Sequence, residues 1–311
     1  MKIFFNAFKS TKNNRTNFFV KILRNLNFLF PDKLYLKLLF RFQTGLKLDL
    51  DNPKTFCEKI QWLKLYNRNP LYTTLVDKYA VKDYVAKIIG KEHIIPILGM
   101  WNSAEQIDFD SLPNKFVLKT TNGGGGSVLV CKNKLTLDRE ASIKKMGMQL
   151  KQRSIYKTYR EWPYKNVPPR IIAEKHMEDE NGELNDYKFF CFNGKPQYCQ
   201  VIRNRFIKET IDFYDLEWNH MSFVGLNPAV ENGSNPVEKP RCLKDLIEAC
   251  EKLSKDISFV RVDFFVINNQ FYFGEMTFYP ASGLGTFRPT EWNYHLGDLI
   301  KLPVNEKNKV F

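Results

Sequence analysis

No stretch of this 311-residue chain approaches the roughly 20 apolar residues that a membrane-spanning helix requires. Apolar runs such as Phe28-Leu29-Phe30 and Leu38-Leu39-Phe40 are interrupted by Lys, Arg, Asp or Pro within a few residues. Met1 to Ser10 holds no apolar core followed by a small-residue cleavage site, so a cytoplasmic location is expected. The six cysteines (Cys57, Cys131, Cys191, Cys199, Cys242, Cys250) form no C-x-x-C pair, and the four histidines do not cluster with them. That pattern argues against a disulfide framework or a zinc site and leaves the thiols as small, reduced core residues. Internal repeats and low-complexity segments are absent. Acidic residues are in deficit, 34 against 47 basic ones, for a formal charge of +13. The imbalance predicts an anionic partner: nucleotide phosphates, an acidic glycan, an anionic membrane surface or nucleic acid. Nucleic acid is not the expected choice, because the lysines are dispersed and no RNA-binding motif interleaves them with aromatics.

What is present, 43% hydrophobic residues with 14% aromatic, suffices for a large core. Residues 16–45 read as two helices broken at Pro31-Asp32, with Leu34, Leu38 and Phe42 recurring at i, i+4 and i+8. This basic, Phe- and Leu-rich stretch fits a helix pair packed on the main body. A peripheral contact with an anionic membrane, at its inner face, is the second reading. Further helices are predicted over 54–66 and 78–89, the latter stopped by Gly90. Beyond residue 94 the pattern turns to short β-branched and aromatic runs, with helices over 136–153 and 242–255 between some of them. Asn193-Gly194 and Asn268-Asn269 read as hairpin turns. Hairpins mixed with helices predict an α+β fold with antiparallel sheet. The segment 227–240, with three prolines, reads as a long surface loop.

Four local patterns could carry chemistry. In the first, the strand Phe116-Val117-Leu118-Lys119 leads into Gly123, Gly124, Gly125 and Gly126, and a second strand returns. Glycine lets main-chain N–H groups approach a polyphosphate closely, and Lys119 adds a fixed charge. No Gly-Lys-Ser/Thr follows, so this is not a P-loop; a flexible hairpin is the bland alternative. In the second, Asp263 and Glu275 lie on two runs joined by a short turn, and both can project to one face with Arg261, which shares the parity of Asp263. Two hard carboxylates there suit Mg²⁺; a cross-strand ion pair with Arg261 is the alternative. In the third, the apolar run Ile171-Ile172-Ala173 ends in Glu174-Lys175-His176-Met177, as a hinge against an adenine edge would. In the fourth, Asp77 fits a helix N-cap, and Lys78 stands where it gains nothing from the helix dipole.

Taken in order, these patterns resemble the ATP-grasp superfamily: Asp77-Lys78, Lys119 with Gly123 to Gly126, Glu174-Lys175-x-Met177, Arg261-x-Asp263 and Glu275. The wording of 56–64, 77–85, 186–190 and 273–280 is similar to one branch, the TupA-like (teichuronopeptide biosynthesis) proteins of bacterial polysaccharide clusters. The resemblance covers roughly 50–300. It implies two α+β subdomains clasping ATP, here over 77–170 and 171–311, after a helical region over 1–76. Lys78 and Lys119 would hold phosphates, with Lys119 and Arg261 also catalytic. Glu174, Lys175 and Met177 would line the adenine hinge, and Asp186 or Lys188 would face ribose or phosphate. Asp263 and Glu275 would ligate magnesium. Thr277 would be a third ligand, standing where many relatives have Asn. The implied activity joins a carboxylate, such as that of a uronic acid in an acidic glycan or its precursor, to an amine or amino acid at the expense of Mg-ATP. Two other enzymes stay open: an ATP-grasp phosphotransferase, and a metal-dependent glycosyltransferase using the D-x-D spacings at Asp49 and Asp51 or Asp108 and Asp110. A non-catalytic binder of acidic polymer is a third reading of the charge.

Overall fold

The computed structural model describes residues 14–123, 127–152, 154–178, 184–203, 208–227 and 229–303. Five helices come first: α1 (Asn14–Asn25), α2 (Asp32–Thr44), α3 (Phe56–Tyr66), α4 (Leu71–Val76) and α5 (Ala80–Ile89). Each of the better-defined ends has a local cause. Gly45 closes α2 in the left-handed conformation, at φ 77°. A reciprocal capping box between Thr55 and Glu58 starts α3. Then β1 (Ile97–Trp101), β2 (Phe116–Thr120), β3 (Val128–Cys131), α6 (Arg139–Lys151), α7 (Ser154–Tyr159) and β4 (Ile171–Lys175) follow. The four strands form one antiparallel sheet in the order β1-β4-β2-β3. Ile171–Lys175, expected to open the second unit, therefore belongs to the first sheet, and the chain crosses over only after Lys175. Apolar periodicity could not reveal this, because pairing partners are a non-local choice.

The second sheet is built from β5 (Asp186–Phe192), β6 (Lys195–Arg203), β7 (Thr210–Tyr214), β8 (His220–Met221), β10 (Phe259–Ile267) and β11 (Gln270–Thr277). Its order is β11-β10-β5-β6-β7-β8. Between them lie β9 (Val224–Gly225) and α8 (Leu243–Ser254); β12 (Phe287–Arg288), which pairs with β9, and α9 (Glu291–Leu299) complete the described chain. The predicted hairpin turns are present: Asn193 and Gly194 (φ 51° and 82°), and Asn268 and Asn269 (φ 48° and 64°), are left-handed pairs. Such pairs match the twist of the strands they join.

β5 is buried over its whole length, as a central strand covered on both faces must be. Phe56 of α3 sits against this sheet, with ring centroids 5.0–6.5 Å from those of Phe190, Phe192 and Phe259, and 5.9 Å from that of Phe287 in β12. The amino-terminal helices thus share one apolar core with the six-stranded sheet and do not form a separate layer. A smaller core lies under the four-stranded sheet, around Phe109, Phe116, Leu118 and Met146. All six cysteines are buried and unbridged.

Candidate active site

Register sets the centre of the site. Lys188 on β5 pairs with Asp263 on β10, and Asp263 pairs with Glu275 on β11, so three ionisable side chains form one cross-strand row. Arg261 and Thr277 form the row beside it. The Arg261 guanidinium grips Asp263 through two hydrogen bonds of 2.7 Å, donates to Thr277 Oγ1 at 3.1 Å and lies 3.4 Å from Glu275. Lys188 Nζ is 2.5 Å from Asp263 and 3.7 Å from Asp186. Asp263 is enclosed, whereas the Glu275 side chain keeps 42% exposure and opens the row to solvent. Burial raises the Glu275 pKa, but Lys78, Lys188, Arg261 and Lys119 outweigh it and hold the carboxyl at about 2.

The four-stranded sheet supplies the opposing cations. Lys119, near the end of β2, reaches Glu174 of β4 at 2.5 Å, and Lys82 reaches the same carboxylate at 2.7 Å while donating to the Ile95 carbonyl. Burial alone would raise the Glu174 pKa; the two lysines reverse it and hold the group at about 2. Lys78 connects the sheets: Nζ donates to the Gly123 carbonyl at 2.6 Å and lies 4.0 Å from Glu275. Burial dominates its surroundings and lowers the ammonium pKa despite Glu275. Lys78, Lys119, Gly123, Lys188, Arg261, Asp263, Glu275 and Thr277, far apart in sequence, are therefore brought into one neighbourhood. Gly124, Gly125 and Gly126 lie outside the described residues.

Some details differ from the sequence reading. The helix expected from residue 78 begins at Ala80, because Asp77 Oδ1 accepts from the N–H groups of Tyr79 and Ala80 and holds Lys78 in the turn before it. Glu174 faces two lysines, which no single-strand pattern displays. β4 ends at Lys175, whose N–H is taken by the Pro96 carbonyl and whose side chain is exposed; Met177 is half-buried. Both D-x-D spacings are turn caps: Asp49 Oδ1 accepts from Asp51 and Asn52, and Asp108 Oδ1 from Asp110 and Ser111.

Three contributors escaped the sequence reading. Lys82 stands four residues after Lys78, a spacing that could have flagged it as a second cation on the same side. Arg170 binds Asp77 at 2.5 Å and covers the Tyr79 ring at 4.7 Å, fixing the turn that carries Lys78. Tyr164 is half-buried near Glu275 and Arg261, and desolvation of its hydroxyl pushes that group well above the usual range. Nothing local in the sequence marks the last two.

Among the described residues no three His, Cys, Asp or Glu side chains gather as a metal cluster. The donor set that does exist, Asp263, Glu275 and the Thr277 hydroxyl, is all oxygen. It fits Mg²⁺, which keeps waters and takes further ligands from phosphates, and does not fit a soft metal.

Two antiparallel sheets, one presenting lysines beside Gly123 and the other a row of acids with an arginine, are the arrangement of an ATP-grasp protein. Residues 58–301 match the TupA-like ATPgrasp family, and the chain belongs to that family. No curated protein matches the chain. Among solved structures it is similar to the D-alanine–D-alanine ligase of Helicobacter pylori, at 18% identity and TM-score 0.43, over 78% of this chain and 68% of that one. The Bacillus anthracis D-alanine–D-alanine ligase is similar at 16% identity and TM-score 0.40, over 66% of this chain and 57% of the ligase. A RimK domain ATP-grasp protein of Sphaerobacter thermophilus DSM 20745 is similar at 12% identity and TM-score 0.40, over 76% and 70%. At these values the family membership rests on the match over 58–301.

Proposed function

We propose that this protein is an ATP-dependent carboxylate–amine ligase of bacterial cell-surface polysaccharide biosynthesis, acting on a carboxylate such as that of a uronic acid. One observation carries the reading. Lys78 and Arg261 lie 4.0 and 3.4 Å from the ionised Glu275, and Lys119 and Lys188 act on it from the two sheets, so cations of both sheets surround the place where a triphosphate would sit. Phosphoryl transfer needs positioning and charge neutralisation more than covalent help, and this array offers both. Lys78 and Lys119 hold phosphates, with Gly123 beside Lys78. Asp186 or Lys188 faces ribose or phosphate, and Glu174, Lys175 and Met177 border the adenine. Asp263, Glu275 and Thr277 would hold Mg²⁺, which shields phosphate charge when bound. Arg261 balances the charge that develops as the γ-phosphoryl group passes to the substrate carboxylate. An amine then displaces phosphate from the acyl-phosphate, giving an amide, ADP and phosphate. Charge neutralisation on this pattern needs no side-chain nucleophile.

The D-x-D acids are engaged in turns, which removes the local support for a metal-dependent glycosyltransferase. The test is ADP and phosphate release by the purified chain, with uronic-acid glycans and a panel of amines. Release that requires both co-substrates, and that falls on the order of 10²-fold or more in Asp263→Asn and Glu275→Gln, is expected. Phosphate transfer without amine would instead make it a phosphotransferase. Sugar transfer from a nucleotide sugar without ATP would overturn the ligase.

A further inference from the structure

Half of the large hydrophobic side chains left exposed on the described surface, eight of sixteen, fall between Phe18 and Leu46. Within this group Phe28 is 75% exposed, Leu29 61% and Phe18 60%. Phe18, Ile22 and Leu26 recur at i, i+4 and i+8 along and just beyond α1, while Val20 and Leu23 are buried in the core. The helix is thus already anchored through its other face, and the exposed strip is surplus to folding. The other eight exposed hydrophobics are spread over the remaining surface from Tyr66 to Tyr294.

Charge tells what the strip fits. Residues 1–31 contain six lysines and arginines and no acidic residue. The first acid, Asp32, is held by Arg68 and Arg160. Lys21 and Lys33 are exposed beside the apolar residues. An apolar strip flanked by cations, whose nearest acids are paired (Asp32 with Arg68 and Arg160, Asp51 with Lys33 at 3.9 Å), complements a sheet of anionic headgroups over hydrocarbon better than it complements a protein surface. We propose that α1, the turn at Phe28-Leu29 and the start of α2 seat this protein on an anionic lipid bilayer. The seat is firmly joined to the body. Arg160 lies over the Tyr35 ring at 4.2 Å and donates to the carbonyls of Asn27 and Phe30. Docking would therefore fix the orientation of the whole molecule. This surface stands independently of the ligase reading.

The experiment is co-sedimentation of the full chain with phosphatidylcholine vesicles, with and without phosphatidylglycerol, at low and high salt. Binding to the anionic vesicles that weakens with salt is expected. It should fall about tenfold or more in Phe28→Ser/Leu29→Ser, which removes inserted apolar area, and in Lys21→Glu/Lys33→Glu. These residues are exposed, and an unchanged melting temperature would show that the variants fold. Equal binding to neutral vesicles, no binding, or variants that bind like the parent would overturn the proposal. So would a lipid-free dimer that Phe28→Ser/Leu29→Ser dissolves, which would make the strip an interface between copies.

Discussion

Replacing Glu174 by Gln tests the electrostatic frame of the site. The carboxylate is 5% exposed and holds Lys82 at 2.7 Å and Lys119 at 2.5 Å. Its pKa falls from 4.5 to about 2 although burial pushes the other way, and at about 1.4 kcal/mol per unit this corresponds to about 3 kcal/mol of stability. Burial also lowers the Lys82 pKa, so keeping that ammonium charged offsets part of the gain. The net loss in Glu174→Gln is therefore expected at about 2–3 kcal/mol, just below the range for breaking a buried pair and leaving cations unmatched. For 311 residues that is a drop of about 3–5 °C in Tm. The folded pKa lies below the unfolded one, so ionised Glu174 stabilises fully above pH 4.5, and its contribution fades as pH falls through about 2. Urea denaturation of both proteins from pH 7 downward is the assay. The gap should be constant near neutrality and should narrow below pH 4.5. A gap under about 1 kcal/mol at pH 7, or one that does not narrow on acidification, would refute the reasoning.

Other parts of the frame yield predictions of their own. Asp77→Ala removes a turn cap and the partner of Arg170; a loss of about 3 kcal/mol is expected in urea titrations, together with weaker ATP binding by calorimetry because Lys78 loses its support. Lys64 is fully buried and donates to the carbonyls of Tyr159 and Ser282, and burial pushes its ammonium down to about 8. Lys64→Met leaves those acceptors unmatched and should lower stability by about 2–3 kcal/mol; thermal unfolding within 1 °C of the parent would contradict it. Gly297→Ala places a Cβ 2.2 Å from the Lys54 carbonyl and 2.7 Å from the Phe56 nitrogen, so α9 must back away from the start of α3. About 3 kcal/mol of destabilisation is expected, read from the shift in denaturation midpoint.

Much of this molecule was written in local chemistry. Alternating apolar residues and the turns at Asn193-Gly194 and Asn268-Asn269 determined the hairpins, because a left-handed turn pair forces antiparallel return. The parity of Arg261 and Asp263 on one strand, with Glu275 a short turn away, was enough to predict that they share a face, and the register pairs Asp263 with Glu275 directly. What the tertiary structure alone decided was partnership across the chain. Ile171–Lys175 joined the first sheet because its main-chain groups found β1 and β2 there. Glu174 came to rest between Lys82 and Lys119, and Arg170 reached back to Asp77, because a buried charge must find its counter-charge wherever packing delivers one. Such pairings span from 55 residues, between Lys119 and Glu174, to 93, between Asp77 and Arg170, and local periodicity carries no record of them.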